Sequence, residues 1–103
     1  MEVVIHGHQT DVTPELRQRA EEGARKLADH LRRVESADIT FQEDGVKKTV
    51  DIILLAPNTR LVAKGEAKFH EPALNEAIAK LDAQIRRIKS ARKKRLHETE
   101  LRA

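Results

Sequence analysis

The stretch from Pro72 to Arg95, PALNEAIAKLDAQIRRIKSARKKR, decides the fold because it combines an apolar face and a charged face on a single helix. Its large apolar residues recur at spacings of four, three, four and three, which is typical of a helix with one continuous apolar stripe. A stripe of this kind has to pack against a core. The residues that form it are Leu74, Ile78, Leu81, Ile85 and Ile88.

The remaining surface of the same stretch is strongly basic. Between Lys80 and Arg95 there are eight cations and one acid, Asp82, so this segment carries a net charge of +7 in a chain whose total is +3. The rest of the chain therefore sums to −4. A small domain that concentrates its cations on one helix is typical of proteins that bind polyanions, and nucleic acid is the commonest polyanion in a cell.

Length and composition limit the classes of protein. A chain of 103 residues predicts one domain, over residues 1–96, followed by a short flexible tail over residues 97–103. The absence of cysteine excludes disulfides, zinc–cysteine sites and thiol chemistry. No apolar run is long enough to span a membrane, and the N-terminus lacks the basic residues of a signal peptide, so we expect a cytoplasmic protein.

The N-terminal third predicts a strand followed by a helix. The run from Glu2 to His6 ends at Gly7 and is typical of a mostly buried strand. Thr13 is placed to cap a helix that starts at Pro14, and apolar residues then recur at helical spacing to about Arg33.

Three strands and the basic helix complete the chain. Ala37 to Gln42 alternates apolar and polar residues, Thr49 to Leu55 is apolar on both faces and predicts a central strand, and Arg60 to Ala67 forms the next strand. Gly65 predicts a bulge or close packing. Glu71 is a possible N-cap for a helix starting at Pro72.

This order predicts an α+β two-layer sandwich, β-α-β-β-β-α, in which two helices cover one face of a four-stranded mixed sheet. The first two strands are joined through a helix and are expected to be parallel, because such a crossover returns the chain in the same direction. Short turns make the last three strands an antiparallel meander.

Short motifs along nearly the whole chain, from Val3 to about Arg92, have the order and spacing of a known family. They are Ile5-His6-Gly7, Val12-Thr13 followed by Leu16, Lys26-Leu27, Leu61-Val62-Ala63, and Ala77-Ile78 leading to Lys80-Leu81 and Gln84. In these motifs the chain resembles the ribosome hibernation-promoting factors, also called ribosome-associated inhibitor or sigma-54 modulation proteins. It resembles their short form, and it has Phe69-His70-Glu71 where the family usually has an acidic residue followed by Met-Tyr.

The resemblance implies a fold like that of double-stranded-RNA-binding domains and a site in the tRNA and mRNA channel of the small ribosomal subunit. A protein bound there would block translation in stressed or stationary cells, and promotion of ribosome dimers is possible. The family residues that contact ribosomal RNA correspond to Lys26, Lys80, Gln84, Arg87 and Lys89. With the neighbouring cations, the full set of predicted RNA-binding residues is Arg25, Lys26, Lys80, Gln84, Arg86, Arg87, Lys89 and Arg92.

The composition also predicts how RNA is recognised. The chain has two Phe and no Trp or Tyr, and Phe41 falls on the core face of its strand, so few side chains remain on which single-stranded bases could stack. We therefore expect recognition of structured RNA through phosphates, 2′-hydroxyls and shape.

Other kinds of site have less support. His6 and His8 flank Gly7, but there is no third ligand at metal spacing, so we predict no metal and no cofactor. Asp11, Asp38 and Asp51 lack a nucleophile paired with a base, and no glycine-rich phosphate loop is present, so we predict a non-enzymatic protein without a small-molecule substrate. A general structured-RNA-binding module and a basic helix that binds a membrane surface or a partner remain as alternatives.

Overall fold

The computed structural model describes the backbone of residues 1–102 and the side chains of residues 1–91. The elements follow the predicted order β-α-β-β-β-α, which confirms the predicted fold class. They are β1 (Glu2–His8), α1 (Pro14–His30), β2 (Ser36–Asp44), β3 (Lys47–Ala56), β4 (Thr59–Ala67) and α2 (His70–Arg102).

The four strands form one mixed sheet in the order β1-β2-β3-β4. Strand β1 runs parallel to β2, with Ile5 opposite Ile39, and the other two pairs are antiparallel. This is the predicted arrangement, since the connection through α1 returns the chain to the same end of the sheet. Strand β3 lies between two neighbours, as its apolar residues on both faces predict.

Both helices pack on one face of the sheet, where they enclose the core. Every second residue of the central strands points to this face, as the period of two requires. The apolar stripe of α2 is buried with them, because Leu74, Leu81 and Ile85 are at most 1% exposed. The largest fully buried side chains are Phe41, Ile39, Ile52, Leu54, Leu74, Leu81, Ile85 and Val50.

The main differences from the predicted elements concern β1, α1 and α2. Strand β1 is an edge strand whose residues 6–8 are exposed, so the prediction of a mostly buried strand is wrong. Helix α1 ends at His30 rather than near Arg33, and Arg33 has a positive φ of 60°. Helix α2 runs to Arg102 instead of ending near residue 96, and flexibility of the C-terminal residues stays a prediction.

Helix α1 begins as its sequence predicts. The hydroxyl oxygen of Thr13 accepts a hydrogen bond of 3.2 Å from the backbone N–H of Leu16, and Pro14 occupies the first helical position. The cap supplies a partner for one of the N–H groups that every helix start leaves without an intrahelical acceptor.

Helix α2 begins two residues earlier than predicted, so Glu71 is not its N-cap. It starts at His70, and the Ala73 N–H donates to the Phe69 carbonyl at 3.4 Å. The His70 side chain is buried: its Nε2–H donates to the Gln42 carbonyl at 3.0 Å. Its ring also lies edge-on to Phe41, with 5.4 Å between the ring centroids. The sequence did not indicate a role for His70. In the structure its side chain attaches the start of α2 to the sheet.

Gly65 is where α2 comes closest to the sheet. A Cβ atom at this position would overlap the carbonyl oxygen of Ala73 and would lie 3.0 Å from the backbone nitrogen of Ala77. The pairing of β4 with β3 continues through Gly65, which lies opposite Val50. Of the two roles predicted for Gly65, the structure therefore has close packing rather than a bulge.

Side chains of α2 also cover the outer edge of β4. Gln84 Nε2 donates to the Val62 carbonyl at 3.0 Å, and Lys80 Nζ donates to the Lys64 carbonyl at 2.7 Å. One turn earlier, Glu76 Oε2 accepts from the Glu66 N–H at 3.4 Å. Three side chains at intervals of four residues thus bond three alternate residues of β4. An edge strand otherwise leaves these backbone groups open to pairing with another chain.

We expect Gly65→Ala to lower the free energy of unfolding by about 1–3 kcal/mol, because the added methyl group overpacks the contact between α2 and β4. Urea denaturation followed by circular dichroism measures this change. Gly45→Asn is the matched control, since Gly45 lies in open space and Asn tolerates its positive φ of 62°. Equal stabilities of the two variants would contradict the assigned close contact.

We expect Gln84→Met to lower the free energy of unfolding by about 0.5–1.5 kcal/mol, because the variant keeps the length of the side chain and loses the hydrogen bond to the Val62 carbonyl. Lys89→Met, at an exposed position of the same helix, is the control. Urea denaturation of both variants provides the comparison. If Gln84→Met were as stable as Lys89→Met, the hydrogen bond would not contribute to folding.

Candidate nucleic-acid interface

The predicted RNA-binding residues lie on the two helices. Arg25 and Lys26 are exposed near the end of α1, and the others are on α2. The residues on α2 with described side chains are Lys80, Gln84, Arg86, Arg87 and Lys89, of which only Gln84 is half-buried. The side chain of Arg92 lies outside the described residues.

Among the predicted residues with described side chains, Lys26 lines a groove between the two helices, which we call the interhelical groove. It has a volume of about 290 Å³ and is lined by Lys26, Leu27, His30, Asn75, Ile78, Ala79 and Asp82. The carboxylate of Asp82 lies 3.0 Å from the guanidinium of Arg86, which holds that cation beside the groove. Lys89 follows Arg86 by three residues and therefore lies on the same side of α2.

A second group lies on the opposite side of α2, where the helix meets the edge of β4. This groove, which we call the edge groove, has a volume of about 400 Å³. The residues that line it are Val62, Ala63, Lys64, Lys80, Ala83, Gln84 and Arg87. Of the predicted residues on α2 with described side chains, Lys80, Gln84 and Arg87 thus line the edge groove, whereas Arg86 and Lys89 line neither groove.

Lys80 and Gln84 form hydrogen bonds within the protein that the sequence did not predict. Besides its bond to β4, Lys80 Nζ lies 3.0 Å from the carboxylate of Glu76, one turn earlier on α2. The hydrogen bond from Lys80, followed by that from the Glu66 N–H, holds the pKa of Glu76 below its usual value. The spacing of four between Glu76 and Lys80 was the signal available in the sequence. Part of the charge of Lys80 is therefore neutralised locally.

Four predicted cations have no such partner within the described part of the chain. Arg25, Lys26, Arg87 and Lys89 form no ion pair with a described side chain, and each is exposed. Cations without an acidic partner keep their full charge for a bound phosphate. These four residues are consequently the strongest candidates for phosphate contacts.

The two aromatic rings separate into a buried one and an exposed one. Phe41 is 0% exposed, as its position in the sequence predicts, whereas Phe69 is 69% exposed just before α2. One exposed ring offers one surface for base stacking. This distribution agrees with the expected recognition of RNA through phosphates and shape.

Of the histidines and carboxylates singled out in the sequence, His6 and Asp38 form a contact on the other face of the sheet. His6 Nε2 lies 3.3 Å from Asp38 Oδ1, without the alignment of a hydrogen bond. Within the described side chains, no group of three or more His, Asp or Glu residues is arranged to hold a metal ion. None of the described helices has the length and apolar character to cross a membrane.

Comparisons with known proteins show the family of this chain. The family described as "Sigma 54 modulation protein / S30EA ribosomal protein" matches residues 3–93. A ribosome hibernation promoting factor from Azotobacter vinelandii is 32% identical over 85 residues, which cover 82% of this chain and 79% of that protein.

Two solved structures are similar in fold. A ribosomal subunit interface protein from Coxiella burnetii superposes with a TM-score of 0.77 at 22% identity, covering 87% of this chain and 99% of that one. The N-terminal domain of Protein Y from Thermus thermophilus gives a TM-score of 0.78 at 19% identity, covering 85% and 99%. These likenesses show the fold, and the family match spans nearly the whole chain. The chain therefore belongs to the sigma 54 modulation protein / S30EA ribosomal protein family.

Proposed function

We propose that this protein binds the ribosomal RNA of the small subunit, in the channel used by tRNA and mRNA, and silences ribosomes in stressed or stationary cells. The observation that carries this proposal is the set of exposed cations without an acidic partner among the described residues, in a chain of the S30EA family. These cations are Arg25, Lys26, Arg87 and Lys89. The names of its relatives support it, since one is a ribosome hibernation promoting factor and another a ribosomal subunit interface protein. A ribosome-bound protein of this kind works in the cytoplasm.

We propose that the protein acts by occupying the channel. Cations on α1 and α2 neutralise RNA phosphates and release their counterions, which favours binding and makes it depend on salt. The sheet and the buried stripe of α2 keep the two helices at a fixed separation, so Lys26 and Arg87 meet the RNA as parts of one body. The bound domain then excludes tRNA and mRNA from the channel sterically.

This mechanism needs no chemical step. Binding and exclusion require charge, shape and a rigid scaffold, and we propose that the protein acts as a binding factor rather than an enzyme. Family membership supports this assignment. Sucrose gradients separate single ribosomes from ribosome dimers, so the position of the ribosome peak shows in which form the protein silences them.

The alternative of a membrane-binding or partner-binding basic helix needs an apolar face on α2. Over residues 74–85 that face is buried against the sheet, with Leu74, Leu81 and Ile85 in the core. An interfacial helix inserts its apolar face between lipids, so this part of α2 would have to leave the core before it could bind that way.

We expect the double variant Arg87→Glu/Lys89→Glu to lose binding to the small subunit at salt concentrations where the parent binds, because two cations are replaced by groups that repel phosphate. Co-sedimentation with ribosomes and separated subunits on sucrose gradients, at two salt concentrations, measures this loss. For the parent, the log–log slope of affinity against salt is expected to be about −0.7 to −0.9 per phosphate contact.

The control is Arg17→Glu/Lys68→Glu, which makes the same change in net charge at exposed positions outside both grooves. It should bind nearly as the parent does, and circular dichroism should show both double variants folded. Parent-like binding by Arg87→Glu/Lys89→Glu would show that the assigned surface is wrong. Binding of the parent to naked duplex RNA but to no ribosomal fraction would favour a general structured-RNA-binding module.

A further inference from the structure

A cation outside the helices lies at the border of the edge groove. Lys64 lies on β4, its side chain is 53% exposed, and it lines the groove together with Lys80, Gln84 and Arg87 of α2. The charge pattern of the two helices did not indicate a role for Lys64, because Lys64 lies on a strand. Because the buried Ala63 and Gly65 face the helices, the side chain of Lys64 between them projects from the uncovered face of the sheet, around the edge of β4 from Lys80 and Arg87.

The backbone of β4 fixes where these cations meet. Lys80 Nζ donates to the carbonyl oxygen of Lys64 itself, at 2.7 Å, so its ammonium group lies beside the strand that carries Lys64. Gln84 bonds the Val62 carbonyl two residues along, and Arg87 lines the same groove about one turn further on α2. Positive groups on both sides of one strand edge raise the affinity of that edge for an anion.

We propose that the edge groove binds a phosphate of the RNA backbone, with Lys64 as a ligand beside Lys80 and Arg87. The RNA-binding surface then continues from α2 around the edge of β4, toward the face of the sheet that the helices leave uncovered. This inference rests on the proposed function, and it adds to it a binding residue on a strand.

The acidic partner of Lys64 can release it at little cost. Glu66 pairs with two lysines: Lys47 Nζ lies 3.1 Å from its Oε2, and Lys64 Nζ lies 3.6 Å from its Oε1. The hydrogen bond from Lys47 is the main cause of the lowered pKa of Glu66, and Lys64 contributes less. Glu66 thus keeps its closer partner when Lys64 turns to a phosphate, and exposed ion pairs of this kind are weak.

The same arrangement provides a matched pair of variants. Lys47 and Lys64 both pair with Glu66, and their side chains are 58% and 53% exposed, but only Lys64 lines the edge groove. Lys64→Gln and Lys47→Gln remove the same charge from the same ion-pair network. A structural role in that network predicts similar effects for the two variants, whereas a phosphate contact predicts different ones.

The experiment measures the affinity of parent, Lys64→Gln and Lys47→Gln for purified small ribosomal subunits over a series of salt concentrations. We expect Lys64→Gln to bind more weakly and to make the log–log salt slope shallower by about 0.7–0.9, the amount for one lost phosphate contact. Lys47→Gln should keep the parental slope. Urea denaturation of all three proteins checks that their stabilities agree.

Identical slopes for parent and Lys64→Gln, or equal changes in both variants, would overturn the inference while leaving the proposed function intact. The three proteins are also measured on naked duplex RNA. If the parent binds the duplex but no subunit, the ribosomal proposal fails and the slopes on the duplex decide the role of Lys64. If the parent binds neither, both proposals are wrong.

Discussion

The contact between α2 and β4 at Gly65 is the constraint on which the rest of the molecule depends. With no side chain at this position, the backbone of α2 at Ala73 and Ala77 lies directly on the strand. A backbone contact cannot adjust as a side chain does. It therefore fixes both the distance of the helix from the sheet and the rotation of the helix about its own axis. The burial of Leu74, Leu81 and Ile85 and the direction of the described cations on α2 follow from that placement.

The bonds between α2 and the edge of β4 are possible because two periodicities agree. Four residues of helix advance about 6 Å, and two residues of strand advance about 6.7 Å. Side chains at Glu76, Lys80 and Gln84 therefore stay in step with alternate residues of β4 from Glu66 to Val62. The agreement lasts for a few turns only, and a helix that crossed the strand at a steep angle would lose it after one contact.

Much of this architecture could be predicted from the sequence, because it depends on local patterns. The alternation in β2, the apolar run of β3, the cap at Thr13 and the stripe of α2 each specify an element and its buried face. What the sequence could not supply are contacts between elements distant along the chain. The bond from His70 to the Gln42 carbonyl joins residues 28 apart, and that from Gln84 to the Val62 carbonyl joins residues 22 apart. For the same reason, the sequence predicts an exposed cation at Lys80 but does not predict its hydrogen bond to the backbone of β4.

The bond between Lys80 and the Lys64 carbonyl also affects the entropy of any later association. A flexible side chain that is immobilised in an interface gives up about 0.5–1.5 kcal/mol of rotamer freedom. Lys80 has already lost part of that freedom, since its ammonium group is held by the backbone of β4 and by Glu76 before an anion arrives. Arg87 has no comparable anchor among the described residues and still has its full freedom to lose. Two cations on one helix thus differ in the rotamer freedom that they lose when an anion binds. Lys80 loses much of its freedom already during folding, whereas Arg87 loses it on binding.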